Sequence, residues 1–187
     1  MLALQRYREV LLRDIEALDT AALDWQAAPQ AVSIGTSLLH IAAVEFLVMS
    51  AVATAREDAR LSPDRALWSA LQPGFARELA LSPCTGQPCS HYADLLQRVR
   101  SDSEAALNAD WQPLSLEQAQ QSALGQLGLD PDQQRRLQAP LGLPLSIADG
   151  TRRESLILAL IAHESYHRGQ ITQSKFLHRI ATQRDGK

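Results

Sequence analysis

Cysteine is almost missing from this chain: 187 residues contain two, Cys84 and Cys89. They lie in Ser-Pro-Cys-Thr-Gly-Gln-Pro-Cys-Ser-His, a spacing that fits neither paired-cysteine zinc sites nor a thioredoxin-like motif, even with His91 nearby. A disulfide framework is therefore excluded as the basis of the fold, and both thiols read as reduced residues of a surface loop. Positive charge is scarce too. Eighteen Lys and Arg against 21 Asp and Glu leave a formal charge of −3, and the basic residues are scattered. That removes the electrostatic case for nucleic acid or an anionic membrane as partner. Long apolar runs are absent: the longest, Leu156 to Ala162, covers seven residues, against the ~20 that cross a bilayer. The first ten residues carry charges where a secretion signal needs an apolar stretch. A soluble cytoplasmic protein acting on a small molecule is the expectation.

No repeat, low-complexity segment or alternating stretch suited to a core strand occurs, so residues 1–187 read as a single all-α domain, long enough to bury a core. Four long amphipathic patterns stand out. The first runs from about Leu2 to Asp24 on Leu4, Tyr7, Leu11, Ile15, Leu18 and Ala22. The second starts near Ser33 or Thr36 and continues to about Arg60. The third begins after Ser90 as N-cap and ends near Asp110, with Tyr92, Leu95, Leu96, Val99, Ala106 and Leu107 as its stripe. The fourth opens on Thr151-Arg152-Arg153-Glu154, a capping box, and runs to about Ile180. Asp64 is placed to cap a short helix through Leu71, ended by Pro73-Gly74. Ser115 with Gln118, and Asp130 before Pro131, predict two more short helices, and 139–150 reads as irregular with a brief extended piece. The long connection before the last pattern predicts a four-helix bundle with at least one crossover.

Inside the fourth pattern lies His163-Glu164-Ser165-Tyr166-His167-Arg168-Gly169-Gln170. Residues four apart stack on one helix face, so His163 and His167 present two imidazoles together, on the stripe of Leu156, Leu160 and Ile171. Two buried imidazoles compete for few polar partners, and a shared divalent transition ion satisfies both. His40, on the apolar stripe of Val44 and Leu47, is the best third ligand. His178 stands eleven residues beyond His167, ~16 Å along a helix and too far to share the ion, and His91 begins a different helix.

His163-Glu164-Ser165-Tyr166-His167 also matches the zinc-protease pattern, with Glu164 as general base. That pattern needs a third ligand downstream, but the sixth residue after His167 is Gln173 and no glutamate follows Glu164. No strand is available to align a peptide either. Glu164 and Tyr166 fall one residue off the ligand face, where lateral packing or solvent is expected, and Glu164→Gln is expected to leave metal content and turnover within a few-fold of the parent.

With Ser33-Ile34-Gly35 leading into Leu38-Leu39-His40-Ile41, and His163-x-x-x-His167-Arg168-Gly169-Gln170-Ile171 near the carboxy terminus, the chain resembles the DinB/YfiT-like family of metalloenzymes. The resemblance covers the four long helices and treats 61–90 and 113–150 as individual loops. It implies an up-up-down-down four-helix bundle, sometimes a homodimer, holding zinc, nickel or a similar ion on His40, His163 and His167. Relatives use a low-molecular-weight thiol of the bacillithiol, mycothiol or glutathione type as cosubstrate, which implies a metal-dependent thiol S-transferase. The alternatives are a non-catalytic metal- or ligand-binding stress protein and a hydrolase using metal-bound water. Around the ligands, Arg168 would meet a cosubstrate carboxylate or, equally, stand in solvent or an intrahelical salt bridge, Gln170 would orient an imidazole, and Gly169 would let another backbone approach.

Overall fold

The computed structural model describes residues 2–56, 64–108, 116–138 and 152–185, and every element among them is helical. At the centre lies the helix numbered α3 (Ile34–Ala55), nearly all of whose side chains are buried. Ser33 starts it by accepting the Thr36 amide at 3.1 Å. Its apolar runs are short, yet its length and overall hydropathy would suffice for a membrane span; here most of its surface is covered by other helices. Residues 57–60, the expected end of this helix, lie outside the described residues.

The first pattern divides. Helix α1 (Leu2–Ile15) stops, and α2 (Thr20–Asp24) restarts after Asp19 accepts the Ala22 amide at 2.8 Å. Asp19, interior to the expected helix, is an N-cap, which competes with continuation. The stripe also differs by one residue. Leu4, Arg8, Leu11 and Ile15 are the buried positions, while Tyr7 is exposed.

Asp64 caps α4 (Arg65–Leu71) as expected, accepting the Ala66 and Leu67 amides. Pro73-Gly74 then forms a 3₁₀ turn (Gln72–Phe75) that leads into α5 (Ala76–Leu79). The resemblance treated this stretch as a loop; it is largely helical and packs against α3. Gly74 is required there, since a Cβ would stand 2.6 Å from the backbone nitrogen of His40.

Helix α6 (Cys89–Asn108) begins a residue before Ser90, which lies inside the helix rather than capping it. Helix α7 (Leu116–Gln126) packs on α3, and α8 (Pro131–Gln138) is capped by Asp130, whose carboxylate accepts the Asp132 and Gln133 amides. The last helix, α9 (Arg153–Asp185), outlasts the expected end at Ile180 and packs on α1 and α3. Ser115, Thr151 and 139–150 lie outside the described residues.

Candidate metal centre

Helices α3 and α9 bring His40, His163 and His167 together. One ring nitrogen from each lies within 4.8 Å of the others. The two α9 rings present Nε2 to Nε2 at 3.1 Å. Two nitrogens ~2.0–2.1 Å from one tetrahedral ion stand about 3.3 Å apart, so this pair already has ligand spacing. The His40 ring centroid is 5.3 Å from that of His163 and 4.8 Å from that of His167.

Two of the rings are held from behind. A carbonyl can only accept, so Gly74 O at 3.2 Å fixes the proton of His40 on Nδ1. Gln170 Oε1, 2.8 Å from His167 Nδ1, does the same for that ring. Nε2 of both rings is thereby left unprotonated, the usual support behind a metal-binding imidazole. Burial, reinforced by the His167 ring, pushes the pKa of His40 down from 6.5 to about 4. Burial likewise lowers His163 to about 3, with His167 and His40 contributing, and also lowers His167. All three rings are neutral at pH 7, the form that binds a cation. The donor set suits zinc, nickel or a similar borderline ion.

A cavity of about 480 Å³ opens over the histidines. The start of α3 (Thr36, Ser37), the α5 segment (Ala76, Arg77, Glu78) and α9 (Ala162, Tyr166, Gln170) form its walls. Tyr166, expected in lateral packing or solvent, is 65% exposed with its ring 5.1 Å from that of His167. Sequence spacing gave no sign that α5 would contribute. Its one advance signal was Pro73-Gly74, a turn that sends the chain back across α3.

The remaining sequence candidates separate. Gln170 sits behind His167 as described. Arg168 turns to the other side and pairs with Asp14 of α1 at 2.5 Å. Gly169 is exposed, and a Cβ there would meet nothing within 4 Å, so it admits no neighbouring backbone. His178 packs on Trp25 and His91 on Tyr92, both away from the cluster. Cys84 and Cys89 are free thiols, as expected, but they rest against the core rather than in open loop, and Cys89 donates to Ile15 O at 3.2 Å.

Glu164 departs most from its expected place. It is buried, with Oε2 2.7 Å from Arg100 and 3.1 Å from Arg8. Glu45 accepts from the same two arginines at 2.8 Å each. The four charges come one from each long helix, α1, α3, α6 and α9, and all are at most 3% exposed. Arg8 and Arg100 also donate to the carbonyls of Leu96 and Leu4. Burial alone would raise the Glu45 carboxyl; Arg8 and then Arg100 outweigh it and hold it below the ordinary range. One sequence signal existed: Glu45 is the only formally charged residue in α3, and a lone carboxylate in a buried helix requires cations. Its engagement with both arginines removes Glu164 from the role of a protease base. Comparison with protein-family models, curated proteins and solved structures finds no match to this chain.

Proposed function

We propose that the chain is a DinB/YfiT-like four-helix-bundle metalloenzyme. It binds one divalent transition ion, zinc or nickel, on His40, His163 and His167, and transfers a low-molecular-weight thiol to an electrophilic small molecule. The carrying observation is the convergence of three imidazoles, two already at ligand spacing, on the floor of an open cavity. The ion, when bound, supplies Lewis acidity that lowers the pKa of a thiol coming to it. His40 and His167 are held to it by Gly74 and Gln170, and the buried charges beneath fix the helices that carry the ligands. The cavity wall confines both reactants over the histidines. This reading places the enzyme in the cytoplasm, acting on small molecules rather than nucleic acid or membrane.

A second reading, hydrolysis by metal-bound water, rests on Glu78, the one carboxylate among the described residues that line the cavity. A general base contributes typically ~10²–10⁴-fold. The test loads the protein with zinc or nickel and measures consumption of a generic electrophile with and without thiols. Thiol-dependent turnover abolished by a chelator is expected. Turnover without thiol that Glu78→Gln abolishes would favour the hydrolase, and stoichiometric metal with no turnover would favour a binding protein.

A further inference from the structure

Arg77 and Glu78 stand side by side on α5 and both line the cavity above the histidines. Neither side chain has a hydrogen-bond or ion-pair partner among the described residues. Adjacent helical residues point about 100° apart, so the two cannot neutralise each other by facing. The cavity thus offers a guanidinium and a carboxylate whose Cα atoms are only ~3.8 Å apart. Arg168, one candidate to meet a cosubstrate carboxylate, is engaged with Asp14, which leaves Arg77 as the one cation among the described residues of the wall.

We infer that Arg77 and Glu78 recognise the zwitterionic head of an α-amino acid, so that the thiol taken by this site carries a free α-ammonium and α-carboxylate. A guanidinium takes a carboxylate through paired N–H donors, and the neighbouring glutamate takes the ammonium. An α-amino acid carries its two charges on one carbon, which matches a pair of recognition groups on adjacent residues. Cysteine and thiols with an unblocked amino acid head qualify; N-acylated or esterified thiols lack one of the charges. At about 480 Å³ the cavity also has room for an electrophile beside the head group, being within the ordinary range for small-molecule sites. This inference rests on the proposed thiol-transferase reading for the presence and position of the sulfur; the head-group site itself stands on the cavity wall.

The test uses the cobalt-loaded protein, in which a sulfur ligand gives a charge-transfer band. It is titrated with L-cysteine, N-acetyl-L-cysteine, L-cysteine methyl ester and cysteamine. L-Cysteine is expected to bind at least about ten-fold more tightly than each blocked thiol, the equivalent of one or two charge-assisted hydrogen bonds. Arg77→Met should erase the discrimination against the methyl ester and cysteamine, and Glu78→Gln that against the N-acetyl compound, with cobalt content unchanged in both. Equal binding of all four thiols, or preferences untouched by the two variants, would overturn the inference. The metal-free protein gives an independent arm through S-methyl-L-cysteine and its methyl ester, followed by ligand-observed NMR. Selective binding there that depends on Arg77 sustains the head-group site even if no cobalt is taken up, in which case the metal reading alone has failed. Absence of binding by both compounds overturns the head-group site.

Discussion

Glu164 shows how far one residue's role depends on what stands opposite it. Spacing places it about 100° around the helix from His163, which suggested an indifferent position. The position is in fact buried, with two guanidiniums within 3.2 Å. Glu164→Gln therefore leaves two buried cations facing a single carboxylate. We expect it to destabilise the fold by about 3–5 kcal/mol, read as a lower urea midpoint at unchanged slope. The histidines give a second expectation at this scale. Against an ordinary value of 6.5, burial holds His40 at about 4 and His163 at about 3. Between those values the unfolded chain binds protons that the folded chain refuses. Their contribution to the stability of the metal-free protein is therefore complete above about pH 6.5 and lost as pH falls through that value towards 4. Urea midpoints measured down this range should fall, and the fall should flatten in a His40→Ala/His163→Ala variant. The α9 pair and the candidacy of His40 were legible from sequence because four-residue spacing dictates a shared face. The roles of Arg8, Arg100 and Glu45 were not, since a buried charge is tolerated only through partners that tertiary structure supplies.

At the scale of elements, three of the expected caps are in place, while Ser90, expected in the same role, lies inside α6. Ser33, Asp64 and Asp130 each start the helix their side chains predicted, because the cap satisfies amides within three residues of itself. Asp19 obeys the same chemistry, but the apolar stripe carries through it and hides the break. Helix α5 was illegible: four residues have no periodicity to detect, and their placement follows from the turn before them. That turn makes Gly74 the backbone support of His40, accepting from its Nδ1 while lying against its main chain. A Cβ at Gly74 would stand 2.6 Å from both the His40 nitrogen and the Leu39 carbonyl carbon, and backbone cannot yield as a side chain can. Gly74→Ala should therefore cost about 1–3 kcal/mol and weaken metal binding as well, because the displaced turn carries the His40 acceptor with it. Thermal unfolding and zinc titration of the one variant check both effects. Unchanged zinc affinity would mean that the turn is structural only.

Across the whole molecule, the buried charges tie together the four long helices that the sequence had already separated. The all-helical class followed from periodicity alone; the central place of α3 did not, and shows only in the burial of nearly all its side chains. What periodicity does not encode is rotation of each helix about its axis, and here the alignment of two arginines with two glutamates settles it for α1, α3, α6 and α9. Such a cluster contributes specificity more than net stability, since desolvation offsets much of its Coulomb energy. Replacing all four at once, Arg8→Met, Glu45→Leu, Arg100→Met and Glu164→Leu, is accordingly expected to leave stability equal to the parent or higher by about 1–4 kcal/mol, in contrast to the single change at Glu164. Calorimetric unfolding of the two variants side by side makes the comparison. A quadruple variant less stable than Glu164→Gln would show that the charges are the main source of cohesion rather than its alignment.

The central claim is that three histidines from two helices hold one ion. Its most direct measurement is the metal content of the protein after equilibration with zinc or nickel and removal of unbound ion, alongside the His40→Ala/His163→Ala/His167→Ala variant. The geometry predicts one divalent ion per chain in the parent, none in the triple variant, and an unchanged helical circular dichroism spectrum in both, because the apolar core forms without the ion. A parent that takes up no ion, or a triple variant that retains it stoichiometrically, would contradict the account.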